Sequence, residues 1–193
     1  MKKLDAKQKV LLMALITIAL GALAAYDKYF GIMPKPEVPV HGEITGEHRF
    51  TTSTGEIIST ASMAGKIWLV SFFFTSCDGP CPLLNAQIAG ILGKNSALHA
   101  LSITTDPETD TEQVLKDYAA KFKADPSRWI FVRTDEENMI NFGQDVLKLP
   151  VGEEPDAHSP RIALVDAKGQ IRGWYDSQEP NVREILLKDI SNL

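Results

Sequence analysis

The stretch FFFTSCDGPCPLLNAQIAG, Phe72 to Gly90, contains both cysteines of the chain, Cys77 and Cys81, four residues apart. It overlaps the end of an apolar run, KIWLVSFFFT, at residues 66–75. Such a run is typical of a strand that is buried on both faces, as in a parallel or mixed sheet. Pro82 suits the first turn of a helix, where no backbone N–H is needed. The stretch therefore predicts a buried strand, a cysteine loop and a helix.

The rest of the chain alternates strand and helix patterns. ALHALSITTD at residues 97–106 and RWIFVRT at 128–134 predict two further buried strands. The first is followed by a segment with one apolar helical face, and the second by capping-box spacing at Thr134 and Glu137, ahead of a helix through Leu147. A β-hairpin is predicted around Gly55, ahead of the first buried strand, and a strand–turn–strand at residues 161–176. This order predicts an α/β sheet that is covered on both faces. A dithiol at the end of the first central strand indicates a thioredoxin-like fold.

The N-terminus divides into three segments before this domain. Residues 1–9 are basic, and residues 10–26, VLLMALITIALGALAAY, carry no charge. A transmembrane anchor needs roughly 17–25 apolar residues, although Ala22-Leu23-Ala24 also allows a cleaved signal peptide. The anchor is favoured, and both alternatives export the chain that follows and leave the lysines in the cytoplasm. Residues 27–42 contain several prolines and predict an extended linker, and residues 43–193 are the predicted domain.

The charge of the chain argues against nucleic acid as a partner. The net charge is −5, and no basic cluster occurs in the body of the chain. Nucleic-acid-binding surfaces are strongly basic. No nucleic-acid partner is therefore expected.

Three interpretations of the cysteine pair are open: a structural disulfide, a redox dithiol, or two ligands of a metal site. Exported thiols tend to become disulfides, but a bridge between Cys77 and Cys81 closes a very short loop and would restrict the unfolded chain little. Residues four apart on a helix share a face, so two thiolates there can converge on one ion or oxidise. The helix N-terminus is expected to lower the pKa of a thiol. A reactive dithiol or a metal site is favoured.

A suitably placed histidine would favour the metal site, because two soft thiolates with one imidazole suit Cu(I). A four-ligand zinc site usually needs a second cysteine pair, and the chain has none. The histidines are His41, His48, His99 and His158. His158 precedes the strand that begins near Arg161, and in a thioredoxin-like sheet the loop before that strand lies against the dithiol. His158 is therefore the candidate ligand, and the other three are expected to be surface or structural residues.

Three motifs together resemble the SCO/SenC family of copper-binding, cytochrome oxidase assembly proteins: FFFTSCDGPCP at 72–82, SITTDPETDT at 102–111 and HSPRIALVDAKG at 158–169. The resemblance extends from Glu43 to the C-terminus, and the membrane anchor matches as well. The chain departs from the family at Ser76, where many relatives have histidine. It also reads Cys-Asp-Gly-Pro-Cys where many relatives read Cys-Pro-Asp-x-Cys. Neither departure removes a ligand.

The resemblance implies a membrane-anchored copper chaperone. Cys77, Cys81 and His158 would bind one copper ion, as Cu(I) or Cu(II). The domain would help to deliver copper to the binuclear centre of cytochrome c oxidase, or keep the cysteines of that centre reduced. The implied partners are the copper-bearing oxidase subunit, other copper chaperones or thioredoxin-like reductants, and the membrane. The implied location is the inner (cytoplasmic) membrane, with a cytoplasmic N-terminus and a periplasmic or otherwise extracytoplasmic C-terminal domain. Asp106 and Asp110 match an acidic pair of the family, but a strand-end turn and a helix N-cap account for them.

Two other functions remain open. A thiol–disulfide oxidoreductase would use Cys77, nearer the strand end, as the attacking thiol, and Cys81 would resolve the mixed disulfide. A redox or copper sensor would signal through a partner. The metal-carrier interpretation requires His158 to lie within bonding reach of the sulfurs, whereas an oxidoreductase needs no histidine.

Overall fold

The computed structural model describes residues 5–30 and 37–193. The chain divides into two compact units, Met1–Glu37 and Val38–Leu193. Part of the predicted basic N-terminus, residues 1–4, and part of the predicted linker, residues 31–36, lie outside the described residues.

The first unit contains one long apolar helix, α1, Ala6–Phe30. Its segment Ala6–Tyr26 has 21 residues and a mean hydropathy of 2.0. At a rise of 1.5 Å per residue this segment is about 30 Å long, which is the thickness of the hydrocarbon core of a bilayer. Among the residues that the structure describes, it is the one helix long and apolar enough to cross a membrane. This agrees with the prediction of a single N-terminal span.

The second unit is a mixed α/β domain. Its strands are β1 (Gly42–Glu43), β2 (Arg49–Thr52), β3 (Ile57–Ser59), β4 (Ile67–Phe73), β5 (Leu98–Thr104), β6 (Trp129–Arg133), β7 (Arg161–Val165) and β8 (Gln170–Asp176). Its helices are α2 (Pro80–Leu92), α3 (Glu112–Lys121), α4 (Glu136–Ile140) and α5 (Val182–Ile190), with a 3-10 turn at Thr60–Met63 and a π-helix at Asn141–Val146.

The strands form one sheet in the order β1-β8-β7-β4-β5-β6-β2-β3. The three apolar runs, β4, β5 and β6, are parallel neighbours at the centre. Strands β2 and β3 form the predicted hairpin around Gly55, whose φ of +80° lies in the left-handed region that favours glycine. Strands β7 and β8 form the predicted antiparallel pair. The predicted α/β, thioredoxin-like fold is confirmed.

Both faces of the central strands are buried, as the apolar runs predict. Alternate residues of β4 face opposite sides: Phe72 packs with the π-helix residue Phe142, and Phe73 packs with residues of α2, α3 and α5. Each of these phenylalanines is fully buried, which contributes about 1.5–3 kcal/mol per side chain. The strong burial of β4 fixes the point at which the cysteine loop leaves the sheet.

The domain includes a short segment that the sequence assigns to the linker. Val38 is buried, and its carbonyl oxygen accepts a hydrogen bond from Arg172 on β8. The N–H of His41 donates to the carbonyl oxygen of Ile171, also on β8, over 2.8 Å. Backbone pairing with β8 therefore begins before residue 43. The division of the chain at residues 9, 26 and 42 stays a prediction.

Candidate functional site

The two cysteines lie where the central strand β4 gives way to helix α2. Cys77 is in the connecting loop and half-buried, and Cys81, in the first turn of α2, is buried with 1% of its surface exposed. Pro80 is the first residue of the helix, which suits its missing N–H. Both cysteines are free thiols. The loop therefore presents one accessible sulfur and one that is packed into the domain.

His158 lies next to this dithiol. Its Nε2 is 3.6 Å from the Sγ of Cys81, across 77 positions in the sequence. Its Nδ1 is 3.2 Å from the carbonyl oxygen of Ser159. A carbonyl oxygen can only accept, so Nδ1 carries the proton and Nε2 presents its lone pair to the sulfur. Burial lowers the pKa of His158, while the Ser159 carbonyl and the charge of Asp156 oppose this. Burial therefore favours the neutral form of the ring, which is the form that binds metals.

The distance between Cys81 and His158 suits a shared metal ion. Taking the bond lengths of zinc as a guide, about 2.3 Å to sulfur and about 2.0 Å to nitrogen, two ligands of one tetrahedral ion lie about 3.5 Å apart. The observed 3.6 Å is close to this separation, and it is also within the length of a hydrogen bond between the Cys81 thiol and the Nε2 lone pair. Within residues 5–30 and 37–193, no three His, Cys, Asp or Glu side chains already form a group that could hold an ion. Cys81 and His158 are two candidate ligands that the fold already brings together, and the Cys77 thiol lies against that of Cys81.

Cys81 differs from the expectation for a thiol at a helix N-terminus. Its pKa is raised from 9.0 to about 12, first by burial and then by a hydrogen bond with the Cys77 thiol. Burial disfavours the thiolate more strongly here than the helix N-terminus favours it. At neutral pH Cys81 is therefore a protonated thiol beside a neutral imidazole.

The cysteine loop is held to the sheet by Asp110, which the sequence assigns to a helix N-cap. The N-cap of α3 is instead Thr111. The fully buried Asp110 carboxylate accepts hydrogen bonds from the Thr75 N–H, over 3.1 Å, and from the hydroxyls of Thr75 and Thr104. Thr75 precedes Cys77 by two residues, so Asp110 fixes the start of the loop. Asp106 forms the predicted turn, where it accepts from the Thr109 N–H over 3.3 Å.

The histidine stands at the end of a small hairpin-like loop, residues 150–159. Val151 pairs with His158 in an isolated antiparallel bridge, and the Gly152 N–H donates to the Ala157 carbonyl oxygen over 2.7 Å. The Nε2 of Gln144, in the π-helix, donates to the carbonyl oxygen of Val151. The ring of Phe74 also meets that of His158 edge-on, with centroids 5.8 Å apart. The π-helix and the cysteine loop together restrict where the imidazole can lie.

The other three histidines have structural surroundings. The ring of His41 packs against Trp174 with centroids 5.0 Å apart, and that of His99 packs against Trp68 at the same distance. The Nδ1 of His48 is 2.7 Å from the Oδ1 of Asn138. Of the four histidines, His158 is the one that the fold brings to the dithiol.

The sequence and the fold both have known relatives. A profile of the SCO1/SenC family matches residues 37–193. A SCO1 protein homolog of Bacillus subtilis is 26% identical over 152 residues, which cover 74% of this chain and 79% of the relative.

Two solved structures share the fold. The structure of BsSco, described as a member of the Sco family of cytochrome c oxidase assembly proteins with a disulfide switch, has a TM-score of 0.71 at 22% identity and covers 79% of this chain and 94% of its own. Arabidopsis thaliana ScoI, solved with copper bound, has a TM-score of 0.64 at 20% identity and covers 78% of this chain and 99% of its own.

Proposed function

Because the chain belongs to the SCO1/SenC family, we propose that it is a membrane-anchored copper chaperone that binds one copper ion through Cys77, Cys81 and His158. It would assist the metallation of the binuclear copper centre of cytochrome c oxidase, and the copper-bearing subunit would be its partner. The observation that carries the proposal is the 3.6 Å separation of the Cys81 sulfur and the His158 Nε2.

The chemistry of the donor set supports copper as the cargo. Thiolates are soft ligands that favour Cu(I), and imidazole also suits copper. The imidazole is already neutral, but the buried Cys81 thiol must lose its proton when copper binds. Copper binding should therefore release protons and weaken in acid. Transfer to the partner proceeds by ligand exchange, in which an incoming thiolate or imidazole replaces one donor at a time.

The relatives supply the physiological setting. ScoI of Arabidopsis thaliana was solved with copper bound, and BsSco belongs to a family of cytochrome c oxidase assembly proteins. Helix α1 would anchor the chain in the inner membrane, and the basic residues at its start, such as Lys7 and Lys9, would stay in the cytoplasm. The domain would then lie on the opposite side. A tether raises the effective concentration of the domain near a membrane-bound oxidase.

The different burial of the two sulfurs supports a second candidate, a thiol–disulfide oxidoreductase. Cys77 is half-buried and Cys81 is buried. The Cys77 thiolate would attack a partner disulfide and release one partner thiolate. Cys81 would then lose its proton and attack the Cys77 sulfur, which releases the second partner thiolate and leaves a Cys77–Cys81 disulfide. This activity needs no metal and would keep oxidase cysteines reduced.

A copper titration separates the two candidates. The full chain is purified in detergent, reduced, and titrated with Cu(I) and with Cu(II), alongside His158→Ala and His99→Ala. We expect one copper per chain and a Cu(II)–thiolate charge-transfer band that His158→Ala abolishes and His99→Ala retains. Unchanged copper binding in His158→Ala would remove the imidazole from the site. Weak copper binding in all forms, with disulfide reductase activity that His158→Ala leaves intact, would favour the oxidoreductase.

A further inference from the structure

Thr105 contacts both parts of the chain that build the site. It follows β5 directly and is 2% exposed. Its N–H donates over 2.7 Å to the carbonyl oxygen of Phe73, the residue at which β4 ends and the cysteine loop begins. Its Oγ1 lies 2.7 Å from the carbonyl oxygen of Pro155, in the loop that carries His158, and 3.2 Å from that of Phe73. One buried residue therefore contacts both the strand end that leads into the cysteine loop and the loop that carries His158.

The two bonds of Thr105 can be assigned separately. A hydroxyl has one proton, and a carbonyl oxygen can only accept. The shorter contact, to Pro155, is therefore the stronger hydrogen bond of the hydroxyl. The backbone N–H is already used by Phe73. The hydroxyl holds the histidine loop, and the N–H holds the strand end. A side-chain substitution removes the bond to Pro155 and the longer hydroxyl contact with Phe73, but it leaves the N–H bond to Phe73 in place.

The tip of the histidine loop, residues 152–157, has few other attachments. Its remaining backbone hydrogen bonds are internal, such as Ala157 N–H to the Glu154 carbonyl oxygen over 2.9 Å. Glu153, Glu154 and Asp156 are exposed. Among the hydrogen bonds of the described residues, the one from Thr105 is the bond that ties this tip to the central sheet. Gln144 binds the base of the loop, at Val151, and does not bond to the tip.

We propose that the Thr105 hydroxyl is a positioning group that holds the histidine loop so that the His158 imidazole stays within bonding distance of the sulfurs. The inference rests on the proposed copper-binding function. Without the hydroxyl, the loop samples positions in which Nε2 is too far from Cys81 to share an ion. Outer groups that orient metal ligands typically change metal affinity 10–100-fold. Thr105 acts on the proposed metal site only through the histidine loop. Removal of its hydroxyl should therefore lower copper affinity by the smaller value of this range, about 10-fold.

The test compares Thr105→Val with Thr105→Ser in the reduced full chain in detergent. Valine keeps the shape and the backbone N–H but cannot donate from its side chain, and serine keeps the hydroxyl. Copper affinity is measured by competition with a chromophoric chelator, together with the Cu(II)–thiolate band and the midpoint potential of the Cys77–Cys81 disulfide. We expect Thr105→Val to weaken copper binding about 10-fold and to perturb the band. The copper affinity of Thr105→Ser should be close to that of the unsubstituted chain. The midpoint potential should not change in either variant, because the Thr105 N–H still binds the end of β4.

A second comparison tests whether Thr105 acts through the histidine. In a His158→Ala background, Thr105→Val should cause no further loss of copper affinity, since groups that act through one another are not additive. Thr60→Val is the matched control. Thr60 is also buried and its hydroxyl donates to a backbone carbonyl, that of Gly46, over 3.2 Å, but neither Thr60 nor Gly46 belongs to either site loop. Its substitution should leave copper affinity unchanged.

Each other outcome counts against a particular statement. If the unsubstituted chain does not bind copper, or His158→Ala binds it equally well, the proposed function fails. If His158→Ala loses copper but Thr105→Val does not, the positioning role of Thr105 fails and the proposed function stands. The positioning role also fails if Thr105→Ser behaves like Thr105→Val, if Thr60→Val weakens copper binding equally, or if Thr105→Val adds its full effect in the His158→Ala background.

Discussion

Alkylation of the two thiols should be strongly unequal, because only one of them is packed into the domain. In the reduced, copper-free chain, iodoacetamide reacts with thiolates. Cys81 is 1% exposed, and its pKa is raised from 9.0 to about 12. At pH 8 its thiolate fraction is about 1 in 10,000, against about 1 in 10 for a thiol at the unshifted pKa of 9.0. Ionisation alone therefore slows alkylation of Cys81 about 1,000-fold, and steric burial slows it further.

The alkylation rate of Cys81 should also rise with pH. Between pH 7 and pH 11 the Cys81 thiolate fraction rises about tenfold per pH unit, since the pKa lies above this range. The singly alkylated peptide is isolated at early times, and tandem mass spectrometry locates the label at Cys77 or Cys81. Labelling in 6 M guanidinium is the control, because both thiols are then exposed. Equal labelling of the two sulfurs in the folded chain, or a Cys81 rate that levels off near pH 9, would refute the assignment.

The raised pKa of Cys81 should also make the free energy of unfolding depend on pH. A thiol whose pKa is raised on folding stabilises the protein fully below its unfolded pKa, and the contribution is lost as the pH rises towards the folded pKa. For Cys81 the loss should begin near pH 9 and continue to about pH 12, at about 1.4 kcal/mol per pH unit. Other groups titrate in this range, so the measurement is the difference in unfolding free energy between the reduced chain and Cys81→Ala at pH 8 and at pH 10. A difference that does not change with pH contradicts the expectation.

Three buried features of the domain are tested by urea denaturation, each with a milder substitution for comparison. Asp110→Ala leaves one N–H and two hydroxyls without their buried acceptor and should cost about 3–5 kcal/mol, with Asp110→Asn less damaging because one oxygen remains. Gly143→Ala would place its methyl group 2.6 Å from a side-chain carbon of Val151 and should lower the free energy of unfolding by about 1–3 kcal/mol. Gly42→Ala, whose methyl group would have its nearest neighbour at 3.7 Å, should change it little. Arg172→Ala breaks a buried ion pair of 3.1 Å and should cost about 3–5 kcal/mol, whereas Arg49→Ala, in an exposed pair, should cost under about 1 kcal/mol.

Local patterns were enough to predict the elements that place the cysteines. The apolar run of β4 and the placement of Pro82 in the first turn of α2 are properties of consecutive residues, and the structure has both, although α2 begins two residues before Pro82, at Pro80. The helix predicted after β6 is different, because it changes from α to π at Asn141. Its apolar spacing gives no sign of the change. The close approach of Gly143 to Val151 is a tertiary contact, and it lies beneath the histidine loop.

The residues that support the site were harder to predict than its candidate ligands. Asp110 looks like a helix N-cap in sequence, and its bonds to Thr75 and Thr104 depend on the pairing of β4 with β5. Thr105 gives no local signal beyond its position after a buried strand. The carboxyl ends of parallel strands collect ligand-binding groups, and this rule could have directed attention to the polar run at residues 104–106. It could not show which hydroxyl reaches the histidine loop.

The high pKa of Cys81 bears on which metals the site can accept. Removing a proton from a thiol of pKa about 12 at pH 7 costs about 7 kcal/mol, against about 3 kcal/mol for a thiol of pKa 9. A metal ion must recover this free energy through its bond to the thiolate. Soft ions such as Cu(I) form strong thiolate bonds, whereas hard ions such as Mg²⁺ and Ca²⁺ prefer oxygen. Burial of Cys81 therefore disfavours ions that bind sulfur weakly. If Cys81 binds copper as proposed, the proton that returns to the thiol on release would recover the same free energy and assist transfer to a partner.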